Sequence, residues 1–247
     1  MTEATARRRL AGLGFREADV AVLVAHFVDA DRRGKSGHGL ERVEWLASLD
    51  LDPSARPILL EADEGYARWD GNGALGYLVL DEVVRAILRE PPERARVVVA
   101  RRCFPTGVLG YWARRLAEAG LVAALTATSP RRLPHPEGGP PLTGTNPLAI
   151  ALPSSDVPPL VADVSMGAVT HGDVLEGRAQ PEDLVPFGGA HAHKAFALAL
   201  GLQLLVGALA GSEPGAVLLV ARPEHDPVPG LRALAAGRRL PGDSFDH

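Results

Sequence analysis

The sequence predicts an α/β or α+β fold, a mixed sheet covered by helices, with a helical stretch at the N-terminus. Three observations carry this. Apolar residues recur at helical spacing in several long segments, short β-branched or apolar runs alternate with them, and Pro/Gly clusters separate the two kinds. A chain of 247 residues with 46% hydrophobic content is long enough to bury a sizeable core.

Residues 4 to 12 and 16 to 33 read as two helices, the second with Val20, Leu23, Val24, Phe27 and Val28 on one stripe. A third helix is expected to begin near His38 and to carry Leu40, Val43, Leu46 and Ala47 on one face until Pro53 and Pro57 interrupt it. Tyr66 to Trp69 alternates like a short strand, Asp70-Gly71-Asn72-Gly73 has turn chemistry, and Leu75 to Arg89 returns to helical spacing. Arg96 to Ala100 reads as a buried strand, Gly110 to Ala119 as helix, Leu121 to Thr126 as strand and Pro130 to Pro141 as a Pro/Gly loop. Leu148 to Leu152 and Leu160 to Ala162 read as strands bounded by prolines. Ala190 to Ala210 is a long helix with Gly211 as C-cap, and a last strand, Ala216 to Ala221, precedes a small helix at Leu231 to Ala236.

This pattern divides into an N-terminal helical region (1–60), a mixed core (61–225) and a C-terminal tail (226–247) expected to pack back on the first. There is no internal repeat. A net charge of −4 argues against nucleic-acid binding, and the arginine pairs and triplets are short enough to be solvated faces. One cysteine, Cys103, excludes an internal disulfide and a cysteine zinc cage, which suits a reducing compartment, the cytoplasm. The N-terminal stretch lacks the apolar core of a signal peptide. The apolar run from Ala195 to Ala210 is short for a membrane span and is expected to be a buried helix.

For chemistry, the pair His38 and Arg42 stands out. Four residues apart, they would share one face of a helix, where an imidazole can move a proton near neutral pH and a guanidinium can grip a carboxylate. A solvated helix start is the rival explanation for such a spacing.

Several segments, read in order, resemble the type 2 malate/L-lactate dehydrogenase family, which includes ureidoglycolate dehydrogenase, diketogulonate reductase and the cyclic imino-acid reductases. Asp31 to Arg42 resembles an Asp-x-x-Gly-x-x-Ser-His-Gly-x-x-Arg motif, and Asp70 to Gly76 an Asp-Gly-x-x-x-x-Gly motif. Gly138-Gly139 with Gly144-Thr145-Asn146-Pro147-Leu148-Ala149-Ile150-Ala151-Leu152-Pro153 is similar to the family's most recognisable stretch. Gly188-Gly189 with Lys194-Ala195-Phe196, and Leu240-Pro241-Gly242-Asp243-Ser244 near the end, also match family motifs. The resemblance implies a non-Rossmann sheet that binds NAD or NADP, often across a homodimer, and reduces a ketone or imine beside a carboxylate. Gly12-Leu13-Gly14 follows no strand and is no dinucleotide fingerprint.

Carried over residue by residue, the resemblance makes His38 the general acid/base and Arg42 the carboxylate clamp. It places cofactor contacts at Thr128, Ser129, Thr145, Asn146, Asp163, Ser165, Gly189 and Lys194, and a substrate contact at His193. The chain also departs from the pattern. Gly37 stands where a serine is usual, Pro105 where a second histidine is expected, and Ala127 where asparagine is common. Asp173 replaces a lysine, which would repel a dinucleotide phosphate if its side chain pointed there. After Gln180 a long family segment is missing. Cys103 has no base beside it in sequence and reads as a buried thiol, and His191 and His193, even with His171 and Asp173, make a poor metal site. The expected function is an NAD(P)-dependent oxidoreductase acting on a 2-oxo acid or cyclic imino acid in a specialised biosynthetic pathway. Two alternatives stay open: a relative that has lost the cofactor and uses His38 for isomerase, lyase or cyclase chemistry, and a non-catalytic partner of an intact paralogue.

Overall fold

The computed structural model describes residues 1–156 and 158–243. Helices α1 (Glu3–Gly12) and α2 (Glu17–Arg32) open the chain, and the Thr2 side chain caps α1 by accepting from the Thr5 N–H at 3.2 Å. A single 3₁₀ turn, Ser36–His38, leads through extended Gly39 to α3 (Arg42–Ala47). The expected helix beginning at His38 is thus two pieces, and His38 and Arg42 do not share a helical face. The Asp31 carboxylate accounts for the break: it accepts the Leu40 N–H at 3.0 Å and occupies the space a Gly39 side chain would need.

Strands β1 (Ile58–Ala62) and β2 (Tyr66–Asp70), helix α4 (Gly76–Arg89), strand β3 (Ala95–Arg101), helix α5 (Leu109–Glu118) and strand β4 (Val122–Ala127) follow. Next come a hairpin, β5 (Leu133–His135) and β6 (Gly138–Thr143), strands β7 (Leu148–Leu152) and β8 (Leu160–Val164), and the short helix α6 (His171–Leu175). Helix α7 (Ala192–Ala210), strand β9 (Ala216–Ala221) and helix α8 (Val228–Ala235) complete the described part. Seven strands form one mixed sheet in the order β1-β2-β3-β9-β4-β7-β8, with β2 and β3 parallel and every other neighbouring pair antiparallel.

The pleat divides the core. Val98 and Ala100 of β3, with Ala123 and Leu125 of β4, point into the main cluster with α4 and α5, while Val99 points to the opposite face with Val206 and Ala210 of α7. The main cluster runs without interruption from Leu10, Leu23 and Phe27 through Tyr77, Val83 and Trp112 to the sheet, so residues 1–60 and 61–225 share one core. The tail meets the far edge of the sheet, away from the expected N-terminal helices. Val161 N–H donates to the Pro241 carbonyl at 3.2 Å, and Arg232 donates to the Asp156 carbonyl at 2.7 Å. Ser244 of the terminal motif lies outside the described residues.

Strand β1, just past Pro57, is a wholly exposed edge strand where the sequence pattern predicts no element. Two further expectations are corrected. The Pro130 to Pro141 loop contains the β5/β6 hairpin, with Gly138 and Gly139 both at positive φ. Helix α7 is not buried: Leu198, Leu204, Leu205 and Leu209 are exposed, and the segment Gly189–Ala210 is long and apolar enough to cross a membrane by length and composition.

Candidate active site

A cavity of about 500 Å³ opens where the Ser36–His38 turn, the start of α3, the loop before α5, the ends of β4 and β8, and α6 converge. Two close backbone approaches shape it. Helix α6 lies against the His38 turn so tightly that a Cβ on Gly172 would fall 2.1 Å from the Gly37 carbonyl oxygen, and one on Gly37 would meet Arg178 at 3.0 Å. A side chain at 37 would also crowd the Thr170 hydroxyl at 3.2 Å. In the loop before α5, Gly107 has φ +67° and faces His26 and Tyr77, each 2.3 Å from where a Cβ would sit. His26 fixes this loop by accepting the Val108 N–H on Nε2 at 3.0 Å.

His38 and Arg42 both line the cavity although they lie on different elements. Burial, reinforced by the Arg42 charge, lowers the His38 pKa to about 4, against a smaller upward pull from Asp163. Its Nδ1 is buried and makes no hydrogen bond among the described residues. Arg42 is 6% exposed, and its Nε and Nη1 are likewise buried without partners, while its guanidinium stacks 3.8 Å from the Trp45 ring centre. The Tyr77 hydroxyl, also on this wall, is buried, and burial raises its pKa against a smaller downward pull from the neighbouring Arg42.

Of the expected cofactor contacts, Thr128, Ser129, Thr145, Asp163 and Ser165 line the same cavity. Thr128 Oγ1 accepts the Gly215 N–H at 2.9 Å and Ser165 Oγ accepts that of Gly167 at 3.3 Å, whereas Ser129 Oγ is buried without a partner. Asp163 pairs with Lys35 at 2.5 Å. Asn146 does not line the cavity: fully buried, it donates to Thr143 Oγ1 at 2.7 Å and the Ala199 carbonyl at 2.9 Å, tying the β6–β7 connection to α7. Gly189, His193 and Lys194 are exposed around the start of α7, outside the cavity lining.

The departures from the expected motif have structural counterparts. Pro105 and Phe104 form an apolar wall of the cavity. Asp173 points into a capping box with Thr170 and an ion pair with Arg178 at 2.7 Å, so its charge is already offset. Cys103 is buried, and burial pushes its thiol up to about 12, far from a nucleophile. Among the described residues no three His, Cys, Asp or Glu side chains form a group that could hold a metal ion. Sequence reasoning missed Lys35, Tyr77 and Arg132, and gave His171 only to a metal site. Lys35 was the readable one, three residues from His38; Tyr77 and Arg132 arrive through the fold.

The malate/L-lactate dehydrogenase family model matches residues 1–184, about three quarters of the chain. The chain belongs to the malate/L-lactate dehydrogenase family. A malate dehydrogenase of Pyrococcus horikoshii is 30% identical over 241 residues, covering 83% of this chain and 66% of its own length. A Δ1-pyrroline-2-carboxylate/Δ1-piperideine-2-carboxylate reductase of Pseudomonas putida is 31% identical over 230 residues, covering 80% and 66%. This family member therefore spans just under two thirds of those curated relatives. Among solved structures, a Δ1-piperideine-2-carboxylate reductase from Pseudomonas syringae superimposes with a TM-score of 0.83 at 25% identity, covering 98% of this chain and 89% of that one. A dehydrogenase from Sinorhizobium meliloti superimposes with a TM-score of 0.81 at 27% identity, covering 98% and 86%. The mixed, non-Rossmann sheet expected from the sequence is the sheet of this family.

Proposed function

We propose that this family member is an NAD(P)-dependent oxidoreductase that reduces a 2-oxo acid or cyclic imino acid, or runs the reverse oxidation. One observation carries the reading: Arg42 is a buried cation whose Nε and Nη1 lack partners, in a cavity shared with a histidine whose Nδ1 is likewise unpartnered. Leaving such groups unsatisfied is costly, so a structural arginine at this depth would be paired. A carboxylate ligand supplies the missing acceptor, and a planar guanidinium can hold it through two parallel bonds. The acid end of the substrate is then fixed, and its reacting carbonyl or imine is turned toward His38.

His38 handles the proton. In reduction it donates to the oxygen or nitrogen of the reacting bond, and in oxidation it accepts from the hydroxyl or amine. A ring held neutral at neutral pH is ready for the accepting role. Binding of a carboxylate at Arg42 removes one of the charges that depress His38, which favours the protonated, donating form. The Phe104 and Pro105 wall and the burial of the site exclude water from the reacting bond.

The residues present fit the nicotinamide end of the cofactor, because the unpartnered Ser129 hydroxyl, with Thr145 beside it, offers hydrogen bonds next to an apolar wall. A bound nicotinamide cofactor would supply or take up the hydride. Titration with NADH and NADPH, followed by cofactor fluorescence and melting temperature, tests the reading. A shift with at least one is expected; no shift with either at millimolar concentration refutes the redox assignment and leaves the non-redox use of His38.

The exposed leucine face of α7 supports assembly as a homodimer through this helix. Sedimentation of a monomer at micromolar concentration would refute that assignment.

A further inference from the structure

Resting on the reading above, we propose that Trp45 is the positioning residue of the acid grip: its indole holds the Arg42 guanidinium by stacking, in place of an ion pair, so that the charge stays free for a substrate carboxylate. Arg42 opens α3 and Trp45 lies three residues on, so both side chains leave one side of that helix, and both line the cavity. The guanidinium carbon sits 3.8 Å from the ring centre. At that separation one face of the guanidinium is covered, while its N–H groups, which lie in its plane, stay open at the edge.

The acidic side chains nearest in sequence are withheld. Glu41 pairs with the N-terminal ammonium of Met1, and Glu44 with Arg9 at 2.8 Å. The two carboxylates of the cavity lining are engaged as well, Asp163 with Lys35 at 2.5 Å and Asp173 with Arg178 at 2.7 Å. An internal carboxylate would fix Arg42 but also neutralise it. An aromatic face orients the cation and leaves its charge, with the buried Nε and Nη1, available to a ligand. Trp45 is braced in turn. The Phe104 ring meets it edge-on, with centres 6.3 Å apart and planes at 86°, and Phe104 belongs to the loop that His26 fixes through Val108. The loop that forms the apolar wall therefore also sets the aim of the arginine.

Calorimetric titration of the cofactor-free chain with sodium lactate, a 2-hydroxy acid, at fixed ionic strength tests the assignment. W45F keeps an aromatic face and should bind within about threefold of the wild type. W45L removes that face and should bind about tenfold more weakly, the range of a partly desolvated cation–π contact. Added to R42M, W45L should weaken binding by less than about twofold further, because its effect runs through the arginine. Tryptophan emission gives a second readout. Trp69 and Trp112 are buried and outside the cavity lining, so saturating lactate should change the emission of the wild type and leave that of W45F unchanged. Wild-type affinity in W45L, a loss in W45F equal to that in W45L, or an undiminished W45L effect beside R42M each overturns the proposal, and so does binding without a change in emission. W45M takes the place of W45L, with the same expectations, if the latter loses its cooperative melting transition. Absence of lactate binding by the wild type overturns the grip at Arg42 altogether, whereas failure of the nicotinamide titrations alone leaves these measurements readable.

Discussion

Replacing His38 with glutamine should flatten the acid limb of the stability curve. In the folded chain burial and Arg42 hold this imidazole at about 4, against about 6.5 when unfolded. The unfolded chain therefore binds more protons between those values, so stability rises with pH through the window and is lost as pH falls from about 6.5 toward 4. The full difference is about 3 kcal/mol, and the part lost between about pH 7.5 and pH 5.5 is about 1.3 kcal/mol. His26 and His171 are also depressed and add slopes of the same sign. Both persist in the variant; the His38 charge is one of the smaller causes of the His26 shift, but burial, the largest, is unchanged, so their slopes largely cancel from the comparison. Urea unfolding of wild type and H38Q at the two pH values, at fixed ionic strength, isolates His38. A packing defect from glutamine shifts both pH values alike, whereas the linkage makes the wild type lose about 1.3 kcal/mol more than the variant. Parallel losses within a few tenths of a kcal/mol would refute the assignment of a buried, neutral His38.

Two other substitutions test the walls of the site. R42M removes a buried, unpaired cation at the cost of its stacking on Trp45, so the ligand-free protein should gain stability of about 1 kcal/mol while carboxylate binding weakens at least about tenfold; a clear loss of stability in urea would show that Arg42 has a structural partner. G107A forces a side chain into a backbone at φ +67° and against the His26 and Tyr77 rings, and should cost about 2–4 kcal/mol. An unchanged melting temperature would mean that the loop is held by something other than those rings.

The sequence made the alternation of strands and helices legible because the period of burial changes with the element, as between the stripe of α2 and the alternating faces of β3. It hid β1 and the β5/β6 hairpin for a different reason. Both are exposed or peripheral, with little burial to pattern the residues; β1 follows directly on Pro57, and the two glycines and two prolines of β6 read as loop. The fate of α7 was equally unreadable: an apolar helix looks the same whether its second face meets the core or is left bare. At the site, His38 and Arg42 were visible by spacing although the supposed common helix was wrong. Arg132 was invisible because only the hairpin and α6 bring it to the same cavity.

The strongest argument for function is where the chain breaks its own rules. The other buried charges among the described residues are paired, Asp19 with Arg16, Asp70 with Arg101, Asp81 with Arg85 and Arg114 with Asp29. Nine buried polar side-chain atoms among the described residues lack a hydrogen bond, and five of them belong to His38, Arg42, Tyr77 and Ser129, all lining one cavity. Two of the glycines whose missing side chains permit a close approach, Gly107 and Gly172, line the same space. Folding alone gives no reason to gather unsatisfied donors, a depressed histidine and close backbone contacts in one place, since pairing or replacing them with apolar residues would stabilise the chain. Selection for a bound acid does, because the ligand supplies the partners that the fold withholds. On that argument Pro105, which can neither give nor take a proton, leaves the grip on the acid untouched, so substrate recognition should be the more robust half of the proposed activity.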